Sequence, residues 1–296
     1  MLAFNNKIQA LLSLMDDTDI EVYSIVTDEI CQYGKSIIPH LEHLWENTLE
    51  NQLQERIELL IHQIQYNGLE NEFVNWTKGD QGLLDGVILV ARYQYPELDV
   101  EQFSDNILKL WKTVWLELND NLTSLEQLHI LNSILYHFYK LEGTAYNYEQ
   151  EDFFLLNKVL EKRKGNALSN GILYQIIAEQ IGLPIKAVHV PNHYLLAFFQ
   201  KKQSTVWSSD KQEEKPTKKI LFFIDATTGN VYNKKDMLSY LEDNKCLFGD
   251  KLFTSMENTE IIAYLLKELS SCFDELKSDY KKQELARLVK IVSQKY

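Results

Sequence analysis

The sequence is short of cysteine, of basic residues and of long apolar runs, and each shortage excludes a class of protein. Three cysteines occur in 296 residues, at Cys31, Cys246 and Cys272. An odd number of cysteines without paired spacing fits neither a disulfide framework nor a zinc site, and it is typical of a reducing compartment. We therefore interpret each cysteine as a structural or surface thiol.

Basic residues are outnumbered by acidic ones. The chain holds 30 Lys and Arg against 43 Asp and Glu, which gives a formal net charge of -13. Such a chain repels polyanions, and no basic stripe interleaved with aromatic residues marks a local site for nucleic acid. We expect no nucleic-acid partner.

Apolar runs long enough to cross a membrane are also missing. No run approaches the ~20 residues that a membrane-spanning helix needs. The first residues, Met1 to Lys7, lack the charged region followed by an apolar core that a signal peptide has. We therefore expect a cytoplasmic protein without a membrane partner, and the 45% hydrophobic and 25% charged content is that of an ordinary globular chain.

Helical periodicity dominates the first half of the chain. Residues 1 to 70 repeat apolar positions at helical spacing, for example at Ile57, Leu60 and Ile64, around an Asp-rich turn. This order of helices resembles a HEAT-type repeat, although one or two units are fewer than the roughly three that such arrays need. Generic paired helices remain an equal alternative. Residues 71 to 150 continue as a predicted helical bundle.

The pattern changes after residue 169. A predicted helix ends at Gly182, because glycine stops helices and Pro184 cannot continue one. Strands are predicted at 185 to 190, 193 to 199 and 219 to 225, with a polar hairpin extension from Lys201 to Lys218. Two further helices follow over residues 251 to 296. The predicted fold class is therefore α+β and mostly helical.

Five short motifs are specific enough to suggest a family. In chain order they are Asn157-Lys-Val-Leu-Glu-Lys-Arg-Lys-Gly165, Leu173-Tyr174, Gly182-Leu183-Pro184, Pro191-Asn192-His193-Tyr194 and Phe223-Ile224-Asp225. Their order and spacing resemble the SirB-type transglutaminase-like domain. The resemblance implies a papain/transglutaminase-like core over residues 151 to 250, made of one active-site helix followed by a small antiparallel sheet. It also implies a tetratricopeptide-like helical pair at 251 to 296.

The resemblance implies an active site that lacks its nucleophile. Family enzymes carry a cysteine at the start of the active-site helix, where backbone N–H groups and the helix dipole favour a thiolate. Ala167 occupies that position here. His193 and Asp225 would then be a remnant dyad, because a methyl group cannot attack a carbonyl. An engineered Cys-to-Ala change would leave the same sequence.

Each of these residues has an alternative interpretation. Ser169 is the nearby hydroxyl, yet two helical residues span about 200°, so it should point away from Ala167 and bond a local backbone group. Asp225 equally fits an Asx turn, and His193 an ordinary strand histidine. His189 and His193 lie more than ~12 Å apart in extended chain, with no third ligand evident, so we predict no metal site and no cofactor.

Three functions follow from these alternatives. The preferred one is a non-catalytic transglutaminase-like protein that binds an unknown protein or peptide, with an unassigned oligomeric state. The second, from a different class, is a serine hydrolase or amidase that uses Ser169, His193 and Asp225 as a displaced triad. The third is a purely structural interaction module in which His193 and Asp225 only brace the sheet.

Overall fold

A computed structural model describes residues 2–15, 19–191, 193–200, 219–243, 251–273 and 275–294. The chain divides into two compact units, Met1–Asn75 and Trp76–Tyr296. The predicted hairpin extension at Lys201 to Lys218, Asn192 and Cys246 lie outside the described residues.

The first unit is helical. Its helices are α1 (Leu2–Leu12), α2 (Ile20–Cys31), a 3-10 turn (Gly34–Ile37), α3 (Ile38–Asn47) and α4 (Asn51–Lys78), the last of which continues past the unit boundary. Asp19 begins α2 by accepting a hydrogen bond from the Glu21 N–H at 2.9 Å. Buried apolar residues from these helices form one core, including Ile30, Leu41 and Ile57.

The second unit begins with helices and ends with helices. The first group is α5 (Leu83–Gln94), α6 (Val100–Glu117) and α7 (Ser124–Asn132), followed directly by a π-helical segment (Ser133–Phe138). Next come a 3-10 turn (Glu151–Phe153), α8 (Leu156–Lys162) and α9 (Ala167–Gln180). After the strands the chain adds α10 (Lys234–Asp243), α11 (Asn258–Ser270) and α12 (Glu275–Ser293).

Among the described residues, six short strands form two sheets. β1 (Glu142–Thr144) and β2 (Lys164–Asn166) pair in parallel. β3 (Ile185–Val190), β4 (His193–Phe199), β5 (Ile220–Ile224) and β6 (Val231–Tyr232) form an antiparallel sheet in that order. The α+β, mostly helical class is therefore confirmed, with one central helix followed by a small antiparallel sheet. The π-helical segment and the β1–β2 pair were not predicted.

Helix α9 lies at the centre of the second unit. Every residue from Leu168 to Ala178 is buried, so this helix has no solvent face over that length. Gly182 ends it as the sequence predicts, with a φ of +70° and the Leu183 N–H donating to the Ala178 carbonyl at 2.9 Å. Strands β3 and β4 of the larger sheet then pack against this helix.

The two faces of β4 contact different elements. A Cβ added to Gly171 of α9 would lie 2.4 Å from Tyr194 Cε1, so Tyr194 faces α9. Leu195 and Ala197 belong instead to a core with Met237 of α10. Because side chains alternate along a strand, α9 and α10 cover opposite faces of this sheet.

Among the described residues, every helix is either too short or too polar to span a lipid bilayer.

Candidate functional site

The start of α9 is held by a polar cap. Asn166 is fully buried and extended, and its Oδ1 accepts hydrogen bonds from the N–H groups of Leu168 and Ser169, both at 3.0 Å. The Ser169 hydroxyl returns the interaction by accepting from the Asn166 N–H at 3.1 Å. Ala167 is the first helical residue and is partly exposed. The cap thus satisfies two of the N–H groups that a helix leaves open at its N-terminus.

Ser169 points into the protein. Its side chain is 1% exposed, and its Oγ donates to the main-chain carbonyl of Phe153 at 2.6 Å. Among the described residues no hydrogen bond joins it to His193. Gly165 makes this arrangement possible, because a Cβ there would lie 2.6 Å from the Ser169 oxygen.

Asp225 follows β5 and organises the turn that it begins. Its Oδ1 accepts from the Thr227 N–H at 2.8 Å and from the Thr227 hydroxyl at 2.6 Å, and its Oδ2 accepts from the Thr228 hydroxyl at 2.9 Å. Gly229 closes the turn with a φ of +75°. The carboxylate therefore makes the hydrogen bonds of an Asx turn.

A buried network of hydrogen bonds connects this turn to α7 and the π-helical segment. The hydroxyl of Tyr136, in the π-helical segment, donates a hydrogen bond to the Ala226 carbonyl at 2.8 Å. Asn132 Nδ2 donates a hydrogen bond to the Gly229 carbonyl at 2.7 Å. Tyr174 of α9 in turn donates to Asn132 Oδ1 at 2.7 Å. Burial raises the pKa of Tyr136, and the nearby Asp225 carboxylate raises it further, so this tyrosine remains a proton donor. Sequence patterns did not identify Asn132 or Tyr136, because the carbonyl groups that they reach lie 97 and 90 residues later in the chain.

The same turn lies against the strand pair that leads into α9. A Cβ placed on Gly143 of β1 would lie 2.3 Å from the Thr227 carbonyl oxygen, so only glycine allows this approach. Asn170 of α9 donates from Nδ2 to the Glu142 carbonyl at 3.1 Å. The Asp225 turn and the start of α9 therefore share β1 as a common support.

His193 lies on the other face of the sheet from α9. It is the first residue of β4, and its ring centroid is 5.6 Å from that of Tyr240 on α10, in an edge-on arrangement. In the described ranges no hydrogen bond joins His193 to Asp225. The pairing of the two as a remnant dyad stays a prediction.

Burial raises the pKa of both thiols that the structure describes. Burial raises the pKa of Cys31, with a smaller effect from Asp28. Burial raises the pKa of Cys272 to about 12, helped by the Glu151 and Glu268 carboxylates. A thiol must ionise to attack, so burial lowers the reactivity of both at neutral pH.

His189 has a partner other than a metal. Its Nε2 lies 3.3 Å from Glu260 Oε2 at the start of α11. The described residues contain no group of three His, Cys, Asp or Glu side chains placed to hold a metal ion.

Comparison with known proteins places the chain in a family. The model of the transglutaminase-like superfamily matches residues 101–267, more than half of the chain. Protein SirB1 of Salmonella typhimurium is 26% identical over 189 residues, which cover 64% of this chain and 65% of that protein. No solved structure matches the chain.

Two other relatives share shorter segments. A UPF0162 protein of Xylella fastidiosa is 28% identical over 116 residues, covering 38% of this chain and 41% of that protein. The F-box only protein 21 of Homo sapiens is 34% identical over 73 residues, covering 25% of this chain and 12% of that protein. The chain thus spans less than two thirds of each of these relatives. The family match and the central helix with its antiparallel sheet agree, and the chain belongs to the transglutaminase-like superfamily.

Proposed function

We propose that this chain is a transglutaminase-like protein without a nucleophile and that it acts by binding a protein or peptide segment near the start of α9. The observation that carries the proposal is the contrast between the side chains of Ala167 and Ser169. The partly exposed first position of α9 holds a methyl group, while the hydroxyl two residues later is buried and donates to the Phe153 carbonyl. An acyl-transfer site needs a nucleophile within hydrogen-bond reach of a base.

A binding role fits the way in which the surrounding elements are built. The Asp225 turn is supported by hydrogen bonds from Tyr136 and Asn132, which come from a segment about 90 residues earlier in the chain. A surface supported in this way is held in one conformation before a partner arrives. Preorganisation reduces the ordering entropy that binding must overcome. Protein binding, the HEAT-like character of residues 1 to 70 and the cytoplasmic location all belong to this proposal.

Peptide selection against the full chain tests the proposal. A displayed peptide library is selected on the unmodified protein, and the dissociation constants of the recovered peptides are measured by fluorescence polarisation. Ala167→Arg should weaken binding by at least about tenfold, because it fills the start of α9 with a long charged side chain. The matched control is Gln180→Arg, which adds the same side chain at the exposed far end of the same helix.

The comparison of Ala167→Arg with Gln180→Arg tests whether the peptide binds at the start of α9. Gln180→Arg should leave the dissociation constant within about twofold of the unmodified value, since a distant surface charge changes affinity little. Equal weakening by both variants, or none by either, would overturn the proposed location. Recovery of no binding peptide from a diverse library would count against peptide binding itself. No separate observation favours the alternative hydrolase that uses Ser169.

A further inference from the structure

A cleft lies in the second unit, between the α5–α6 connection and α8. It has a volume of about 650 Å³ and is lined on one side by residues 94–99 and the first turns of α6, and on the other by residues of α8. Phe103 and Leu160 supply apolar lining and are 4% and 8% exposed. Ala167, His193 and Asp225 are not among the described residues that line it.

The cleft contains a buried side-chain amide oxygen that has no hydrogen-bond partner among the described residues. Asn157, the first residue of the Asn-x-Val-Leu-Glu motif, lines the cleft and is 6% exposed. Its Oδ1 is buried and accepts no hydrogen bond within the described part of the chain. A buried polar group without a partner destabilises the fold, so its presence calls for an explanation such as a ligand. Gln102 and Asn106 place two more side-chain amides on the opposite wall.

The rim of the cleft carries more negative than positive charge. Glu97, Asp99 and Glu161 contribute three carboxylates, against the single ammonium group of Lys158. Lys158 already shows how this site holds a cation: its Nζ lies 2.8 Å from Glu161 and 4.8 Å from the centre of the Tyr95 ring. An aromatic face beside carboxylates is a favourable place for ammonium and guanidinium groups.

We propose that this cleft binds a peptide segment that carries a lysine or arginine side chain. The Asn157 amide, which offers both a donor and an acceptor, pairs with a peptide group of the ligand. The aliphatic stem of the basic side chain lies along Phe103 and Leu160, and its charged end reaches the acidic rim. The net charge of -13 favours a basic partner at long range. This site is separate from the one proposed at the start of α9.

A pair of small probes tests the charge requirement. N-acetyl-arginine N-methylamide and its uncharged citrulline counterpart are titrated into the full chain, and NMR follows the side-chain amides of Asn157, Gln102 and Asn106. We expect shifts at these amides and at least about fivefold tighter binding of the arginine probe. Its affinity should fall as salt is added, since exposed charges are screened. Equal affinity of the two probes, or saturation without shifts at these amides, overturns the proposal.

Two substitutions with matched controls test the residues. Asn157→Leu should abolish binding of both probes while the melting temperature stays equal or rises, because it removes a buried group without a partner. The control Asn121→Leu, on the exposed α6–α7 connection, should change neither probe's affinity. A lower melting temperature with binding intact would show that the Asn157 amide serves the fold alone, which refutes the assignment.

The rim is tested without disturbing the buried amide. Glu97→Gln should weaken the arginine probe and leave the citrulline probe unchanged, whereas Glu149→Gln, an exposed carboxylate outside the lining, should affect neither. This pair decides the question even if Asn157→Leu fails to fold. Ala167→Arg should leave probe binding unchanged, so failure at α9 and failure here are distinguishable.

Discussion

Replacing Ala167 by cysteine places a thiol at the position that the family resemblance assigns to the nucleophile. Ala167 is the first residue of a 14-residue helix and is partly exposed, so a thiol there meets both the helix dipole and the reagent. The dipole lowers the pKa of a thiol at a helix N-terminus because it stabilises the thiolate. The variant therefore reports whether the start of α9 still provides an environment for a nucleophile.

The size of the effect follows from the cap. Charge–dipole interactions at a helix end are worth about 0.3 to 1 kcal/mol when exposed, and 1.36 kcal/mol corresponds to about one pKa unit. Asn166 Oδ1 already accepts two of the N–H groups in the first turn, which removes part of the favourable field. We therefore expect a lowering of about 0.2 to 0.7 unit from the ordinary value near 8.5, to a pKa of about 7.8 to 8.3.

Iodoacetamide alkylation across a pH series measures this pKa. The matched control is Gln180→Cys at the exposed C-terminal end of α9, where the dipole should raise the thiol pKa instead. Labelling of the unmodified protein provides the baseline for its own cysteines. The pKa values of the two thiols should differ by about 0.4 to 1.4 units, with the Ala167→Cys thiol the more acidic. A thiol at 167 that is no more acidic than the one at 180 would refute the view that α9 retains an active-site environment.

Three further predictions concern stability and the alternative function. Tyr174→Phe should lower the free energy of unfolding by about 1 to 3 kcal/mol, because Asn132 Oδ1 is left buried without its donor, and a urea titration showing no loss would contradict the network. Ser169→Ala should cost about 1 to 2 kcal/mol in the same assay, and the folded unmodified protein should resist a fluorophosphonate; labelling that disappears in Ser169→Ala would instead support the hydrolase. Burial acts to raise the pKa of Glu260, but the Glu257 N–H hydrogen bond and neighbouring cations outweigh it, so the pKa is lowered from 4.5 in the folded state. A carboxylate with a lowered folded pKa contributes stability above its unfolded pKa and loses it as the pH falls. The stability difference between the unmodified protein and Glu260→Gln should therefore shrink as pH drops below about 4.5, and a difference that is independent of pH would be inconsistent with this.

Local signals in the sequence predicted the elements around the site well. The end of α9 was predicted from Gly182, which can adopt a positive φ, and from Pro184, which cannot continue a helix. The orientation of Ser169 away from Ala167 was expected from helical rotation, and the Ser169 hydroxyl accepts a local hydrogen bond from the Asn166 N–H. Its second bond, to the Phe153 carbonyl 16 residues earlier, was not predicted. The predicted features depend on neighbouring residues alone, so a single sequence is enough to predict them.

Features that join distant parts of the chain were decided by the tertiary structure. The sequence predicts that residues alternate along β4, but which of its faces meets α9 depends on packing, and Tyr194 rather than His193 occupies that face. The Asp225 turn and the Asn157 cleft depend likewise on helices that lie far away in sequence. Hydrophobic periodicity carries no information on which distant carbonyl a tyrosine reaches or which buried amide stays unpaired. The sequence alone therefore determined the fold class, the central helix with its following strands and the family resemblance, whereas the contacts of the site side chains were decided by the packing of elements that are remote in the chain.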